Sequence, residues 1–559
     1  MPVRTLAALG RALHTFDSQS AKTKLRLLRA LEHGRLPTAK SVERLHELLC
    51  FMRAHSDDAR VHARVVRMLS KFPRRDDLRA HANALADTGI LGTAITYRFF
   101  WPMAQWLASR WPGLLHLDRS DTEADDAIRK ALPLIVSRAE VEWLRGENVS
   151  GYEALDRLRG RRETDAAFLV RHVSEMPGDG WTREAVFDGI DATFELRPGR
   201  DTPSRTAAHV AGTSTCFQTT SLHRTRPNLR AEMLRPPQQV RTVSARAGSA
   251  LIDLARCAMV TRARDLMAFE YADCRDVRIV DDGRGLCFAL MGVLPERRAP
   301  LPATYGALTI RNGVPIGYVQ IDAIAGMAAI SFNTFETFRG AEAAHTFARM
   351  LAMVRHVFHT ESFSIEPYQL GIGNDEGIDS GAWWFYYKLG FRPRAPAARG
   401  IAKRELVRMR SRPDHRSSAS TLRRLAAYHL FFDADPGRVR PLPDTLRVAR
   451  EMTAQLAAMG DTDRRGAVDR CSARATERAG LRSLDGFTKD ERRAWREWSP
   501  VVATLRGLST WSARDRADLV AVIRAKAGRR ESDYVRQFDA HPRLAAAIFA
   551  KTIKRSRRR

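Results

Sequence analysis

Five apolar segments in close succession, DVRIVDD, GLCFALMGV, YGALTIRNG, VPIGYVQIDAI and MAAISFNTF, occupy residues 276–335 and constrain this chain more than any other feature. Each is short, rich in β-branched or aromatic residues and bounded by Gly, Asn or Asp, the composition of strands separated by turns. Asn312-Gly313 stands between the third and the fourth. Both residues tolerate the positive φ of a two-residue turn, so these segments are predicted to form a hairpin. A helical segment precedes the run at 250–267, and AEAAHTFARMLAMVRHVF follows it with apolar residues at helical steps. The expectation is a mixed, mostly antiparallel sheet flanked by helices.

The chain is 559 residues long, whereas single cores stop growing near ~250–300 residues. A multidomain α/β plus all-α organisation is therefore expected. Residues 1–165 read as a helical region: LHELLCFMRAH and VHARVVRMLSKF carry the helical period, and no strand signal competes. Ser120 with Glu123 has the spacing of a capping box opening DAIRKALPLIV. The aromatic run Tyr97, Phe99, Phe100, Trp101, Trp106 and Trp111 reads as helical core, with a stacking or interfacial surface as the alternative. Residues 166–249 are predicted to be an irregular or mixed linker, 250–395 the α/β domain, and 396–419 a second linker. Residues 420–559 read as a helical module, from TLRRLAAYHLFF through a Thr488–Glu491 capping box to the basic tail Lys551, Lys554, Arg555, Arg557, Arg558 and Arg559.

A formal net charge of +28 predicts a positive potential that attracts polyanions, so a nucleic acid or an anionic surface is an expected class of partner. The cysteines Cys50, Cys216, Cys257, Cys274, Cys287 and Cys471 show no zinc-ligand spacing, and free thiols in a reducing cytoplasm are the expectation, with no metal. Arg4 and Arg11 break the N-terminal apolar run, which argues against a secretory signal. The most apolar stretch, 90–115, is interrupted by Arg98, Pro102, Gln105 and Arg110, so a transmembrane helix is not expected.

Chemistry concentrates between Gly313 and Arg392. Two strands lead to Arg339-Gly340-Ala341-Glu342-Ala343-Ala344 at the start of the long helix; a strand around FSIEPYQLGI, then Asn374, then a helix ending Tyr386-Tyr387-Lys388-Leu389-Gly390-Phe391 complete the unit. Small residues at a helix start let backbone amides approach an anion, which the unpaired N–H groups and helix dipole favour. In this order the unit resembles the GNAT superfamily of acyl-CoA-dependent N-acyltransferases, over about a quarter of the chain. The resemblance implies acetyl-CoA or another acyl-CoA as co-substrate and an amine acceptor, a small molecule or a protein. It implies that Arg339, Gly340, Ala341, Ala343 and Ala344 cradle the pyrophosphate, that backbone near Thr334 and Phe335 polarises the thioester, and that Asn374 helps close the site. Tyr386 matches the family's acid for the departing thiolate. Glu342 departs from the pattern, standing where the family has a second glycine.

Direct attack of an amine also requires a proton acceptor. Glu336 is the first choice, with Asp322 and His345 behind it. Residue by residue, Glu336 also reads as a strand-end surface group, His345 as a capping or solvated histidine, and Asn374 as a helix cap. Two other readings stay open. One is a catalytically degenerate scaffold that binds nucleic acid or protein. The other is transfer of a longer acyl or aminoacyl group to an envelope or lipid acceptor.

Overall fold

The computed structural model describes residues 2–460 and 462–549. The basic tail from Lys551 onward lies outside them. Twelve strands are present among the described residues: β1 (Ile95–Tyr97), β2 (Leu115–Leu117), β3 (Phe194–Leu196), β4 (Gln239–Thr242), β5 (Ala272–Gly283), β6 (Leu286–Val293), β7 (Ala303–Arg311), β8 (Val314–Ile324), β9 (Met327–Thr334), β10 (Ser362–Ile365), β11 (Arg392–Pro393) and β12 (Leu430–Asp433). The first three form a small sheet in the order β1-β3-β2, and the rest one sheet in the order β11-β12-β10-β9-β8-β7-β6-β5-β4.

Strands β4 to β9 run antiparallel in sequence order, and β5 to β9 are the five predicted segments. The β7–β8 hairpin turns at Asn312 and Gly313, with φ of 47° and 76°, both in the left-handed region that a two-residue turn demands. Asn312 also ties the turn to its surroundings, donating from Nδ2 to the carbonyls of Ala54 (2.9 Å) and Cys216 (3.0 Å).

The helical ends are not separate bodies. They cover the two faces of the large sheet, as its side-chain alternation requires. Along β7, Ala303, Tyr305 and Ala307 face a core shared with the Ala343–Phe358 helix and the C-terminal helices. Leu308 and Ile310 face the other way, into a core built with the N-terminal helices. Polar ties fasten the C-terminal layer: the Tyr534 hydroxyl donates to the Leu301 carbonyl at 2.6 Å, and buried Lys526 lies 2.5 Å from buried Glu531.

Several sequence expectations are corrected. Residues 95–196 build their own core around the small sheet, and Phe99, Trp101, Trp106 and Trp111 are buried in it. The strands β1 and β2 are three residues long, too short for any periodicity to register. Helices Asp165–Glu175 and Gly180–Ile190 belong to this unit, so the one long irregular stretch within the expected linker is about 197–228. The expected second linker is largely the Pro396–Ser411 helix. Leu430–Asp433, expected as helix, is a strand, because three consecutive apolar residues look alike in a buried helix and a buried strand. Asp121 caps the Thr122–Ile135 helix instead of Ser120, whose amide and hydroxyl are both spent on Asp118. The Thr488–Glu491 capping box is present as read.

Two features position the site. The Ala343–Phe358 helix crosses from β9 to the parallel strand β10, a connection that parallel strands need. Pairing between them covers only Ser362↔Met327, Phe363↔Ala328 and Ser364↔Ala329. Beyond Ala329 the two strands diverge, and among the described residues no strand pairs with that edge of β9 from Ile330 to Thr334. Midway along the crossing helix, Arg349 is fully buried and donates from Nε and Nη2 to the Asp282 carboxylate at 2.6–2.9 Å and from Nη2 to the Arg235 carbonyl at 2.9 Å.

Candidate functional site

The gap between β9 and β10 opens into a cavity of about 770 Å³, within the range of roughly 300–1,000 Å³ usual for ligand pockets. One wall is the unpaired edge of β9. Its hydrogen-bonding direction follows from the ladder: the Phe335 N–H donates to the Ile316 carbonyl of the preceding strand at 2.9 Å. In an antiparallel pair the next residue directs both backbone groups the opposite way. The N–H and C=O of Thr334 and Phe332 therefore face the gap. The Thr334 carbonyl is taken there by Arg339 Nε at 3.1 Å.

The expected cofactor residues divide. Thr334, Arg339, Ala343 and Asn374 line the cavity together with Tyr386. Phe335 does not; its amide is spent in the sheet and its ring lies under the Arg262 guanidinium, 3.7 Å from the centroid. Ala341 is buried against the N-terminal core with its amide bonded to the Phe338 carbonyl, so it does not cradle a ligand. Gly340 and Ala344 flank the lining, and a Cβ built on Gly340 would meet nothing within 4 Å. The position is open space.

Glu342 stays out of the cavity. It is buried, accepts the His223 N–H at 2.9 Å and lies 3.2 Å from Arg311 Nη1, so its charge is neutralised on the far side of the helix start. Asn374 caps the Asp375–Asp379 helix through the Gly377 amide (3.3 Å) and donates to the Tyr368 carbonyl (3.1 Å), which fixes the loop that bounds the cavity. Tyr386 packs its ring edge-to-face on Phe347, Phe385 and Phe391. Its neighbour Tyr387 points elsewhere, stacked on Trp383. Burial pushes the Tyr386 hydroxyl well above the usual tyrosine range, so it stays protonated at neutral pH.

None of the three expected proton acceptors reaches the cavity. Glu336 is exposed on the 3-10 turn Glu336–Phe338, close enough to Glu43 of the N-terminal helices to raise that carboxyl further. Asp322 accepts from Thr304 Oγ1 (2.5 Å) and Gln320 Nε2 (3.0 Å) inside the sheet. His345 stacks on His223, with ring centroids 5.1 Å apart.

The carboxylates that do line the cavity are Asp265 and Glu376. Glu376 bridges two arginines, Arg339 and Arg264, the latter at 2.8 Å. Burial alone would raise its carboxyl, but these bonds outweigh burial and hold it below the usual range. Asp265 lies beside the Tyr97 hydroxyl and the Glu270 carboxyl, and burial raises both carboxyls above their usual range, with Asp265 raising Glu270 further. Nothing in the sequence marks this group. Asp265 and Glu270 merely bracket the apolar LMAF, and Tyr97 comes from the small module.

The raised pair has a measurable consequence. Above the ordinary carboxylate range, where the raised Glu270 and Asp265 pair still holds protons that the unfolded chain has lost, the folded chain binds more protons than the unfolded one. Stability contributed here therefore falls as pH rises through that window. The wild-type unfolding midpoint should drop more between pH 5 and pH 8 than that of Glu270→Gln, as followed by circular dichroism; parallel curves would refute the assignment.

No protein-family model, curated protein or solved structure matches this chain. Among the described residues no helix is long and apolar enough to cross a membrane, and no group of His, Cys, Asp and Glu side chains is placed to hold a metal ion.

Proposed function

We propose that the protein is an acyl-CoA-dependent N-acyltransferase that moves an acyl group, acetyl in the first instance, from its thioester to an amine. The observation that carries this reading is the gap between two parallel strands, ended by Arg339 and a helix N-terminus and faced by the backbone of Phe332 and Thr334. A pantetheine arm carries amides and can add to such an edge as a short strand does. The pyrophosphate of CoA suits Arg339 and the amides at Ala343, where charge-assisted bonds and the helix dipole act together.

In the reaction the amine nitrogen attacks the thioester carbonyl, the C–N bond forms and the C–S bond breaks. A backbone N–H of the β9 edge holds the carbonyl oxygen, as fixed dipoles serve best in a site shielded from water. Tyr386 gives its proton to the departing sulfur. Its burial among aromatic rings supports that role, because an acid must be protonated at the working pH.

Titration calorimetry of the full chain with acetyl-CoA and longer acyl-CoAs tests the donor. Arg339→Ala should weaken binding by about tenfold to a hundredfold, the worth of one hydrogen bond to a charged group. Absence of heat with every acyl-CoA would sink the reading. One observation favours the rival, a non-catalytic binding scaffold: Arg339 is already engaged by Glu376. If the cavity takes a CoA ester, Glu376→Gln should free Arg339 and tighten binding, whereas a scaffold of another kind gains nothing.

A further inference from the structure

We propose that the acceptor is a cationic primary amine, seated where Tyr97, Phe100 and Asp265 meet in the cavity wall, with Tyr97 and Asp265 taking the proton that the ammonium must lose. This deepens the acyltransferase reading and rests on it. Tyr97 and Phe100 come from the small module and Asp265 from the loop after the Ala245–Val260 helix, so three parts of the chain converge with the β9 edge on one cavity. Phe100 is 50% exposed and Tyr368, also in the lining, 59% exposed. Open aromatic faces in a cavity whose wall also holds a carboxyl, here Asp265 with both oxygens buried and lacking a hydrogen-bond partner among the described residues, are the chemistry that recognises an ammonium group.

The charges around Asp265 point the same way. Arg264, next in sequence, turns its guanidinium to Glu376. Arg256, on the Ala245–Val260 helix, donates to the Glu270 carbonyl at 2.7 Å. Among the described residues no basic side chain pairs with Asp265 itself. In a chain carrying a surplus of 28 positive charges, Arg256 acts on this sunken carboxyl pair from the Glu270 end, which leaves the Asp265 end for a ligand. Burial raises both carboxyls, and Asp265 raises Glu270 further, so the pair gives up its protons less readily than free carboxylates do.

The proton route balances. The ammonium N–H passes to the Tyr97 oxygen while the Tyr97 proton moves to Asp265 beside it. The neutral amine then attacks, Tyr386 protonates the sulfur, and the second proton shed by the nitrogen restores Tyr386. The sum is one amide, one thiol and one proton released to solvent.

The test uses hexylamine and its uncharged counterpart hexanol as probes of the full chain by calorimetry, with acetyl-CoA measured in parallel. Hexylamine should bind at least tenfold more tightly than hexanol. Asp265→Asn should remove that preference and leave acetyl-CoA affinity unchanged, which also reports an intact fold. Tyr97→Phe keeps the ring, removes the oxygen, and should give a similar loss if the asparagine variant does not fold. Equal binding of amine and alcohol, or hexylamine affinity unchanged in both variants, overturns the proposal. Amine binding that depends on Asp265 without any acyl-CoA binding upholds the site and rejects the transferase reading, whereas acyl-CoA binding with no role for Asp265 does the reverse.

Discussion

Arg349→Met is expected to destabilise the fold by about 3–5 kcal/mol, the cost of stranding one partner of a buried ion pair. Arg349 has no exposed surface, and its guanidinium spans the Asp282 carboxylate and the backbone that enters β4. Methionine fills much of the same volume but leaves Asp282, on β5, charged and sealed in the sheet. The carbonyls of Arg235 and Pro236 lose their donor as well. Urea unfolding followed by tryptophan fluorescence measures the effect. The double variant Arg349→Met/Asp282→Asn should recover a large part of the loss, because the penalty lies chiefly in the orphaned charge. A single-variant loss under about 1 kcal/mol would mean that the pair is solvated or dispensable.

Tyr386→Phe should lower turnover by about a hundredfold to a thousandfold, as loss of a general acid does, and leave the dissociation constant for acyl-CoA within about twofold of wild type. The ring contacts with Phe347, Phe385 and Phe391 survive the change. Among the described residues the hydroxyl has no hydrogen-bond partner, only burial. A purely structural tyrosine would therefore be replaced at no cost, and the phenylalanine variant should unfold at the same temperature or slightly higher. Stopped assays of free thiol with a panel of primary amines read the turnover. An unaltered rate would remove Tyr386 from the chemistry.

How much of this was legible beforehand depended on how local the signal was. The strands β5 to β9 and the Asn312-Gly313 hairpin announce themselves because alternation and turn chemistry reside in a few neighbouring residues. Leu430–Asp433 does not, since what makes it a strand is the bare edge of β10 and the Ser362 hydroxyl that meets Asp433 at 2.6 Å. In the site, Arg339, Ala343, Asn374 and Tyr386 could be picked out because they sit at the ends of elements in a patterned order. Glu336 stands just past a strand end, a place that suggests a role in the site, but there the backbone turns it outward. Asp265, Glu270 and Tyr97 are assembled only by packing of the small module against the sheet, and no periodicity encodes that.

The insertion of β12 between β10 and β11 has a consequence for the order in which a nascent chain can mature. While a ribosome has released only the residues up to about 395, Ser362–Ile365 presents an open backbone edge, ready to pair with any extended segment nearby. Synthesis must continue past Asp433 before that edge is sealed, so a fragment cut at the end of the α/β segment should be prone to self-association that the longer chain avoids.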